Sequence, residues 1–137
     1  MSDSVVDDLI TAMDEDGFGV AGRDIFDWSV MTKRSPSSGI LVRQRTSAPA
    51  PDPLIRCDTA LLTVTVMGAG NGDVARERAG RTAQAIYKRY GLCSQRTVNE
   101  TQYLSIEADT APYEQDAGDR TDYVLGIRMV RFYGGKK

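Results

Sequence analysis

The sequence predicts an α+β fold, with one domain over residues 1–137 in which two main helices pack on one face of a twisted, mainly antiparallel sheet of four to five strands. Two stretches repeat their apolar residues at the helical period, and several shorter stretches alternate apolar and polar residues. These elements follow the order helix, strand pair, strand, helix, strand, strand. The 137-residue length is that of one typical domain, and no internal repeat is visible.

The first element is predicted to be a helix over residues 4–13. Its acidic first turn suits the positive end of the helix dipole, and Gly17 provides a stop signal. The apolar positions recur on one helix face at Val5, Val6, Leu9, Ile10 and Met13.

Two strands are predicted next, over residues 25–31 and 40–46. In the first of them, Phe26 and Trp28 share the face that we expect to be buried. We expect the two strands to pair with each other as a hairpin. The proline-rich residues 47–53 cannot enter the interior of a sheet, so they are predicted to form an extended connection.

The most regular strand is predicted over residues 61–67, where Leu62, Val64 and Val66 face the core. A glycine-rich turn follows, and residues 74–90 are predicted to form the second helix. One face of this helix carries small and apolar residues that allow close packing on a sheet: Ala75, Ala79, Ala83, Ile86 and Tyr90.

The remaining residues are predicted to form two further strands. The first covers residues 103–108, with Leu104 and Ile106 facing inward, and a polar loop follows over residues 109–120. The second is a long strand over residues 121–133, which suits either a central position with buried aromatic side chains or a position at an edge or interface. The face of the sheet that the helices leave uncovered would be moderately polar, and such a face meets water or another subunit.

The composition excludes much common catalytic chemistry. Histidine is absent, so the chain cannot build a Ser-His-Asp triad, a Cys-His pair or a histidine-ligated metal site. The net charge of −2 and the isoelectric point of about 5.1 argue against a general nucleic-acid binder, which has a basic excess. The N-terminal residues are acidic and lack an apolar signal segment, and the most apolar stretch is too short to span a membrane. We therefore expect a protein that is not an enzyme and has no cofactor, metal or membrane partner.

The turn at residues 68–73 raises the alternative of a small-ligand or nucleotide-binding enzyme subunit. A strand leads into glycines and then into a helix, as in dinucleotide-binding folds. Gly68 and Gly70 fit that pattern, but Asp73 occupies the third glycine position, where its carboxylate would repel a phosphate. A flexible turn with Asn71 or Asp73 as the helix N-cap is the favoured interpretation.

Two acidic clusters are candidates for cation binding or acid–base chemistry. Asp14, Asp16 and Gly17 resemble part of a calcium loop, but the residues at its first and last ligand positions do not fit. For the second cluster, solvated loop acids are favoured over a weak cation site in an assembly. That cluster consists of Asp116, Asp119 and Asp122, with Glu107 and Asp109 nearby.

Charged and aromatic residues are predicted to form a subunit interface. Arginines crowd the second helix, where they either form a solvated surface or contact acidic residues of a neighbouring subunit. The C-terminal strand carries arginine and aromatic residues, which are enriched at interfaces. The candidate interface residues are Arg76, Arg78, Arg81, Asp116, Asp119, Asp122, Arg128, Arg131 and Tyr133.

The order of these segments resembles the tail terminator proteins of long-tailed bacteriophages and related viruses, also called tail-completion or minor capsid proteins. The shared features begin with an acidic amphipathic helix, a strand pair around Trp28 and Val42, and an alanine-rich helix behind a glycine-containing turn. They continue with a strand and a loop of Ala/Pro/Asp type over residues 103–117, which contains Ala111 and Pro112, and with the sequence GDRTDY at residues 118–123 before a long final strand. The resemblance covers nearly the whole chain and is one of layout and length.

The resemblance implies a small α+β subunit of a six-membered ring, without catalytic residues. Such a ring caps the finished tail tube, ends its polymerisation and provides the surface to which the filled head attaches. The implied partners are further copies of the chain, the tail tube protein and a head-completion or connector protein, while DNA passes through the lumen without specific binding. The implied location is the head-proximal end of the virion tail, after assembly in the host cytoplasm. A head-completion or neck adaptor protein is the alternative among structural proteins.

Overall fold

The computed structural model describes residues 5–29, 39–45, 57–68, 73–91, 95–116 and 121–132. The strands form one sheet in the order β1-β2-β3-β6-β5-β4, and its neighbouring strands are antiparallel except β1 and β2, which are parallel. In chain order the elements are α1 (Val5–Glu15), β1 (Ile25–Asp27), β2 (Gly39–Gln44), β3 (Cys57–Met67), α2 (Asp73–Arg89), β4 (Arg96–Val98), β5 (Thr101–Asp116) and β6 (Thr121–Phe132). The predicted α+β class is confirmed, and the described residues form six strands instead of four to five.

Both helices pack on the same face of the sheet, as the sequence predicts. Leu62 and Val64 on β3 and Leu125 and Ile127 on β6 point into one apolar cluster, because alternate residues of a strand share a face. The helices contribute the apolar stripes that their periodicity indicates. The buried helix residues of this cluster include Leu9, Ile10 and Met13 of α1 and Ala79, Ala83 and Ile86 of α2.

Helix α1 lies between the two edges of the curled sheet. It contacts β1 and β2 at one edge and β4 at the other, whereas α2 packs on the central strands β3, β6 and β5. Both edge strands are only three residues long. These short edge strands themselves offer little unpaired backbone to another chain, whereas β5 extends well beyond its pairing with β4, which ends at Tyr103.

The predicted hairpin between the first two strands is wrong. β1 ends at Asp27, and it pairs in parallel with β2, with Ile25 opposite Ile40. The Asp27 side chain accepts a hydrogen bond of 2.9 Å from the backbone N–H of Ser29, which turns the chain at the point where the strand was expected to continue. Trp28 is consequently on the surface instead of in the main core. The predicted connection at residues 47–53 lies outside the described residues.

The predicted polar loop after the fourth expected strand is also wrong over most of its length. β5 continues to Asp116 and pairs with β6 as far as Thr121. From Asp109 to Asp116 the residues of β5 are exposed except for the partly buried Pro112, so the strand shows no apolar alternation there. A register shift between Tyr103 and Ser105 places Tyr103 in the core and leaves Leu104, which was expected to face inward, 38% exposed.

The position of the last strand is now defined. β6 lies in the middle of the sheet between β3 and β5, and Leu125, Ile127 and Met129 are buried in the main core. Of the two positions that the sequence left open, the central one is correct, but the described aromatic residues of β6, Tyr123 and Phe132, are only partly buried.

Candidate interaction surface

The face of the sheet opposite the helices, here called the open face, carries aligned side chains from four strands. Leu41 on β2 lies opposite Thr65 on β3, which lies opposite Val124 on β6, which in turn lies opposite Tyr113 on β5. The sequence indicated a moderately polar face of this kind. Trp28, which was expected to be buried, is an exposed residue of this face.

A recess of about 330 Å³ opens on this face and is here called the Trp28 recess. Trp28 and Tyr113 remain 37% and 51% exposed, although large aromatic side chains usually lose most of their surface on folding. Leu41 and Val124 are buried and contribute apolar surface between them. The residues that line the recess are Trp28, Leu41, Arg43, Thr63, Thr65, Tyr113, Gln115, Asp122 and Val124.

Arg43 stacks on the indole ring of Trp28 within this recess. The centre of its guanidinium group lies 4.8 Å from the ring centroid, which is a cation–π contact. A cation–π contact does not consume the N–H groups of the guanidinium, which can still act as donors. The sequence analysis singled out neither Arg43 nor Tyr113. Both could have been predicted from the alternation along the strands, which places them on the face opposite the core.

Asp122 forms one end of the recess and is only 5% exposed. Its carboxylate accepts a hydrogen bond of 3.3 Å from the backbone N–H of Gly68. A Cβ atom at Gly68 would lie 2.5 Å from the carbonyl oxygen of Thr121, so this glycine is required for the close approach of the end of β3 to the start of β6. Close packing therefore explains why a glycine occupies position 68, the first glycine of the motif that suggested nucleotide binding. The rest of that turn, residues 69–72, lies outside the described residues.

Arg45 lies across the open face beside the recess. Its Nη2 atom donates to the carbonyl oxygens of Leu62 on β3, at 2.9 Å, and Ile127 on β6, at 3.4 Å. The same atom pairs with the carboxylate of Asp109 on β5 at 3.1 Å. Gly126 leaves room for this contact, because a Cβ atom there would lie 2.4 Å from an Asp109 oxygen and 3.0 Å from Arg45 Nη2. Arg45 thereby joins the four central strands of the sheet.

The arginines of α2 are exposed, as the interface prediction requires. Arg76 pairs with Asp73 at 3.8 Å and Arg81 with Glu77 at 3.6 Å, both within the helix. Such exposed pairs contribute little to stability. Arg78 lies at the side of the helix and lines a groove with Asp24, among other residues.

The remaining predicted interface residues lie in different environments. Arg128 pairs with Glu107, and Arg131 pairs with Asp58 at 3.1 Å, so both have acidic partners within the chain. Asp116 is exposed at the end of β5, whereas Asp122 is buried as described above. Asp119 and Tyr133 lie outside the described residues.

The acids that suggested a calcium loop instead bind protein groups. Asp16 accepts hydrogen bonds from Arg96 on β4 at 2.9 Å and from the hydroxyl of Tyr90 at 2.7 Å, and it pairs with Arg89 at 3.3 Å. Burial alone would raise the pKa of Asp16, but the hydrogen bonds from Arg96 and Tyr90 outweigh burial and lower it. Asp14 accepts a hydrogen bond of 2.9 Å from the backbone N–H of Ala21.

A second polar contact fixes the middle of α1. Asp8 is buried, and its carboxylate accepts hydrogen bonds from the hydroxyl of Tyr103 at 2.5 Å and from the amide of Asn99 at 3.0 Å. Burial, followed by the hydrogen bond to Asp8, raises the pKa of Tyr103. The contacts of Asp8 and Asp16 both join the α1 region to the β4–β5 edge of the sheet. Both carboxylates therefore have partners within the fold.

Neither a metal site nor a membrane helix is found in the described part of the chain. No group of three or more cysteine, aspartate or glutamate side chains there is arranged to hold a metal ion. None of the helices found in these residues combines the length and the apolar character needed to cross a bilayer. No family model matches the chain, and no curated protein shows significant similarity to it.

Proposed function

We propose that this chain is a structural subunit of a tailed virus that assembles into a ring, caps the tail tube, ends its polymerisation and provides the joining surface for the head. The proposal rests on the resemblance in segment order described above. The observation that best supports it is that one subunit exposes two different surfaces of opposite charge.

The first of these surfaces is the exposed side of α2. Arg76, Arg78, Arg81 and Lys88 are exposed there, and the acids among the exposed residues of the helix are Asp73 and Glu77. The pairs that Arg76 and Arg81 form are long and solvent-exposed. These arginines therefore lose little when they exchange an intrahelical carboxylate for one on another subunit.

The second surface is the distal part of β5. Glu114 and Asp116 are exposed there, and residues 110–116 contain no basic side chain. β4 covers this strand only from Thr101 to Tyr103, so the distal part lies at the rim of the sheet. A closed ring needs a heterologous contact, in which two different patches of the same subunit match. A basic helix and an acidic strand on one chain meet that requirement.

The test combines charge reversal with measurement of the molar mass in solution. Size-exclusion chromatography with light scattering, with and without preassembled tail tubes, is expected to show a ring of about six chains for the wild type. Arg81→Glu is expected to weaken the ring, and Asp116→Arg in the same chain to restore it in part, because the two reversals recreate an opposite-charge pair. Arg23→Glu, on the exposed turn before β1, is the matched control.

The outcomes separate two questions. A chain that remains monomeric with and without tubes would refute the ring. A ring that forms equally well with Arg81→Glu, at low and at high salt, would refute the proposed charge contact and leave the ring intact.

A further inference from the structure

We propose that the Trp28 recess binds a peptide segment of a partner protein in which an acidic side chain lies next to an aromatic one. This inference goes beyond ring formation and does not depend on it. The acidic group would bind Arg43, and the aromatic group would lie between Trp28 and Tyr113.

Arg43 differs from the neighbouring arginines of the open face in its partners. On the same face Arg45 pairs with Asp109 and Arg128 pairs with Glu107. For Arg43 the structure shows the stacking contact with Trp28, and no ion pair with any carboxylate of the described residues. The contact with Trp28 keeps the guanidinium at the recess, and a guanidinium group can receive a carboxylate through two parallel hydrogen bonds.

Two aromatic residues of the recess leave much of their surface uncovered. Trp28 and Tyr113 stand at the recess with 37% and 51% of their surfaces exposed, while Leu41 and Val124 are buried between them. Tryptophan, tyrosine and arginine are the residues that dominate binding energy at protein interfaces. An aromatic ring seated here would contact apolar surface and two further rings, in the offset or edge-on arrangements that such rings prefer.

The size and solvent exposure of the recess favour a peptide over a small molecule. A recess of about 330 Å³ is at the lower limit of small-molecule pockets, which bury most of their ligand. The half-exposed aromatic residues would leave a ligand partly in solvent, which suits side chains that project from a larger partner. Thr63, Thr65 and Gln115 provide hydroxyl and amide groups for hydrogen bonds to a peptide backbone.

The experiment uses the intrinsic fluorescence of Trp28, which is the only tryptophan of the chain. The full-length protein is titrated with the capped peptides Ac-Gly-Ser-Phe-Asp-Ser-Gly-NH2 and Ac-Gly-Ser-Asp-Phe-Ser-Gly-NH2. Matched peptides carry Asn for Asp or Ala for Phe. We expect a saturable change in Trp28 emission with at least one acidic–aromatic peptide, and about tenfold weaker binding when its Asp becomes Asn.

Variants assign the effect to the recess. Arg43→Gln is expected to abolish the preference for the acidic peptide over its amide counterpart, and Arg43→Lys to keep part of it. Tyr113→Ala is expected to weaken binding of the aromatic peptides and to leave the acid preference in place. Arg23→Gln, an exposed arginine before β1, is the matched control that should retain the full tenfold preference.

Three results would overturn the proposal. The first is the absence of a saturable response to either acidic–aromatic peptide. The second is equal binding of acidic and amide peptides to the wild type. The third is binding of free phenylacetate as tightly as the peptide, which would make the recess a site for small aromatic acids.

Discussion

Asp16, which directly follows α1, has a structural role. It receives hydrogen bonds from Arg96 and Tyr90 and pairs with Arg89, so one carboxylate joins α1, the end of α2 and β4. Its side chain is largely buried, and hydrogen bonds to a buried charged group are stronger than those between neutral groups.

We expect Asp16→Asn to lower the free energy of unfolding by about 2 kcal/mol at neutral pH, because Arg96 loses its buried carboxylate partner and keeps only the exposed Glu15. The pKa of Asp16 is lowered in the folded protein, so its charge contributes stability that is fully present above the unfolded-state pKa of about 3.9. That contribution is lost as the pH falls through the folded-state pKa. Urea unfolding between pH 7 and pH 3 should show the difference between wild type and variant narrowing below about pH 4.

The control for this measurement is Asp73→Asn, because the Asp73 side chain is exposed in the first turn of α2. We expect it to change the free energy of unfolding by no more than about 0.5 kcal/mol at any of these pH values. A difference between wild type and Asp16→Asn that stays constant from pH 7 to pH 3 would show that the charge of Asp16 is not what stabilises the fold.

At the residue scale the sequence identified acids but not their partners. The spacing of Asp14, Asp16 and Gly17 drew attention to the right turn, yet Arg96 lies 80 positions further along the chain from Asp16. For Trp28 the alternating pattern favoured burial. The hydrogen bond from the Ser29 N–H to the Asp27 side chain ends the strand before Trp28. An alternating sequence pattern does not show that a side chain competes in this way for a backbone N–H group.

At the element scale, the β4–β5 turn connects the sheet edge to α1. Asn99 and Glu100 have φ angles of 49° and 69°, and they link Val98 to its strand partner Thr101. Two successive positive φ angles define the tight hairpin turn whose preferred second residue is glycine. Asn99 also donates to Asp8 and Thr11 of α1, at 3.0 Å each, so the turn has both a backbone and a side-chain role.

We expect Glu100→Gly to raise the free energy of unfolding by about 0.5–1 kcal/mol, because glycine adopts a positive φ without the steric cost of a Cβ atom. Asn99→Gly relieves the same backbone cost but removes the hydrogen bonds to Asp8 and Thr11, so it should give no gain or a net loss. Urea unfolding of the two variants checks the contrast. Equal changes in both would show that the side chain of Asn99 contributes nothing.

The sequence predicted helices better than strand pairing. The two helices begin and end within two residues of their expected limits, since the helical period is a local property. β4 was not predicted, and the distal part of β5 was taken for a loop, because a strand without a buried face has no apolar alternation. The parallel pairing of β1 with β2 is a contact between elements, and propensity along the chain does not encode it.

At the scale of the whole molecule, the α+β class was predictable but the open face was not. The class follows from element types and their order. The Trp28 recess gathers residues from the turn after β1 and from β2, β3, β5 and β6, which become neighbours only through the strand order. The charged surfaces on α2 and β5 were visible as composition, and the structure shows that they lie on different elements of the chain.

The contacts of Arg45 with three other strands make it possible to test whether one side chain stabilises the four central strands together. Arg45→Met removes the bonds to the carbonyl oxygens of Leu62 and Ile127 and the ion pair with Asp109, and we expect it to lower the free energy of unfolding by about 2 kcal/mol. Gly126→Ala places a methyl group where Asp109 and Arg45 meet, and we expect it to cost about 1–2 kcal/mol.

Because both substitutions disrupt the same contact, the double variant should be about 1 kcal/mol more stable than the sum of the single effects implies. In the absence of Arg45, the Asp109 side chain is free to move away from the new methyl group. Ala85→Gly on the exposed side of α2 provides the matched cycle, and its cost of about 1 kcal/mol should add to that of Arg45→Met without coupling. Urea unfolding of the five variants and the wild type measures both cycles. If the Arg45 and Gly126 effects prove additive, Gly126 is needed for some reason other than the Arg45–Asp109 contact, and the four central strands do not depend on one shared side chain.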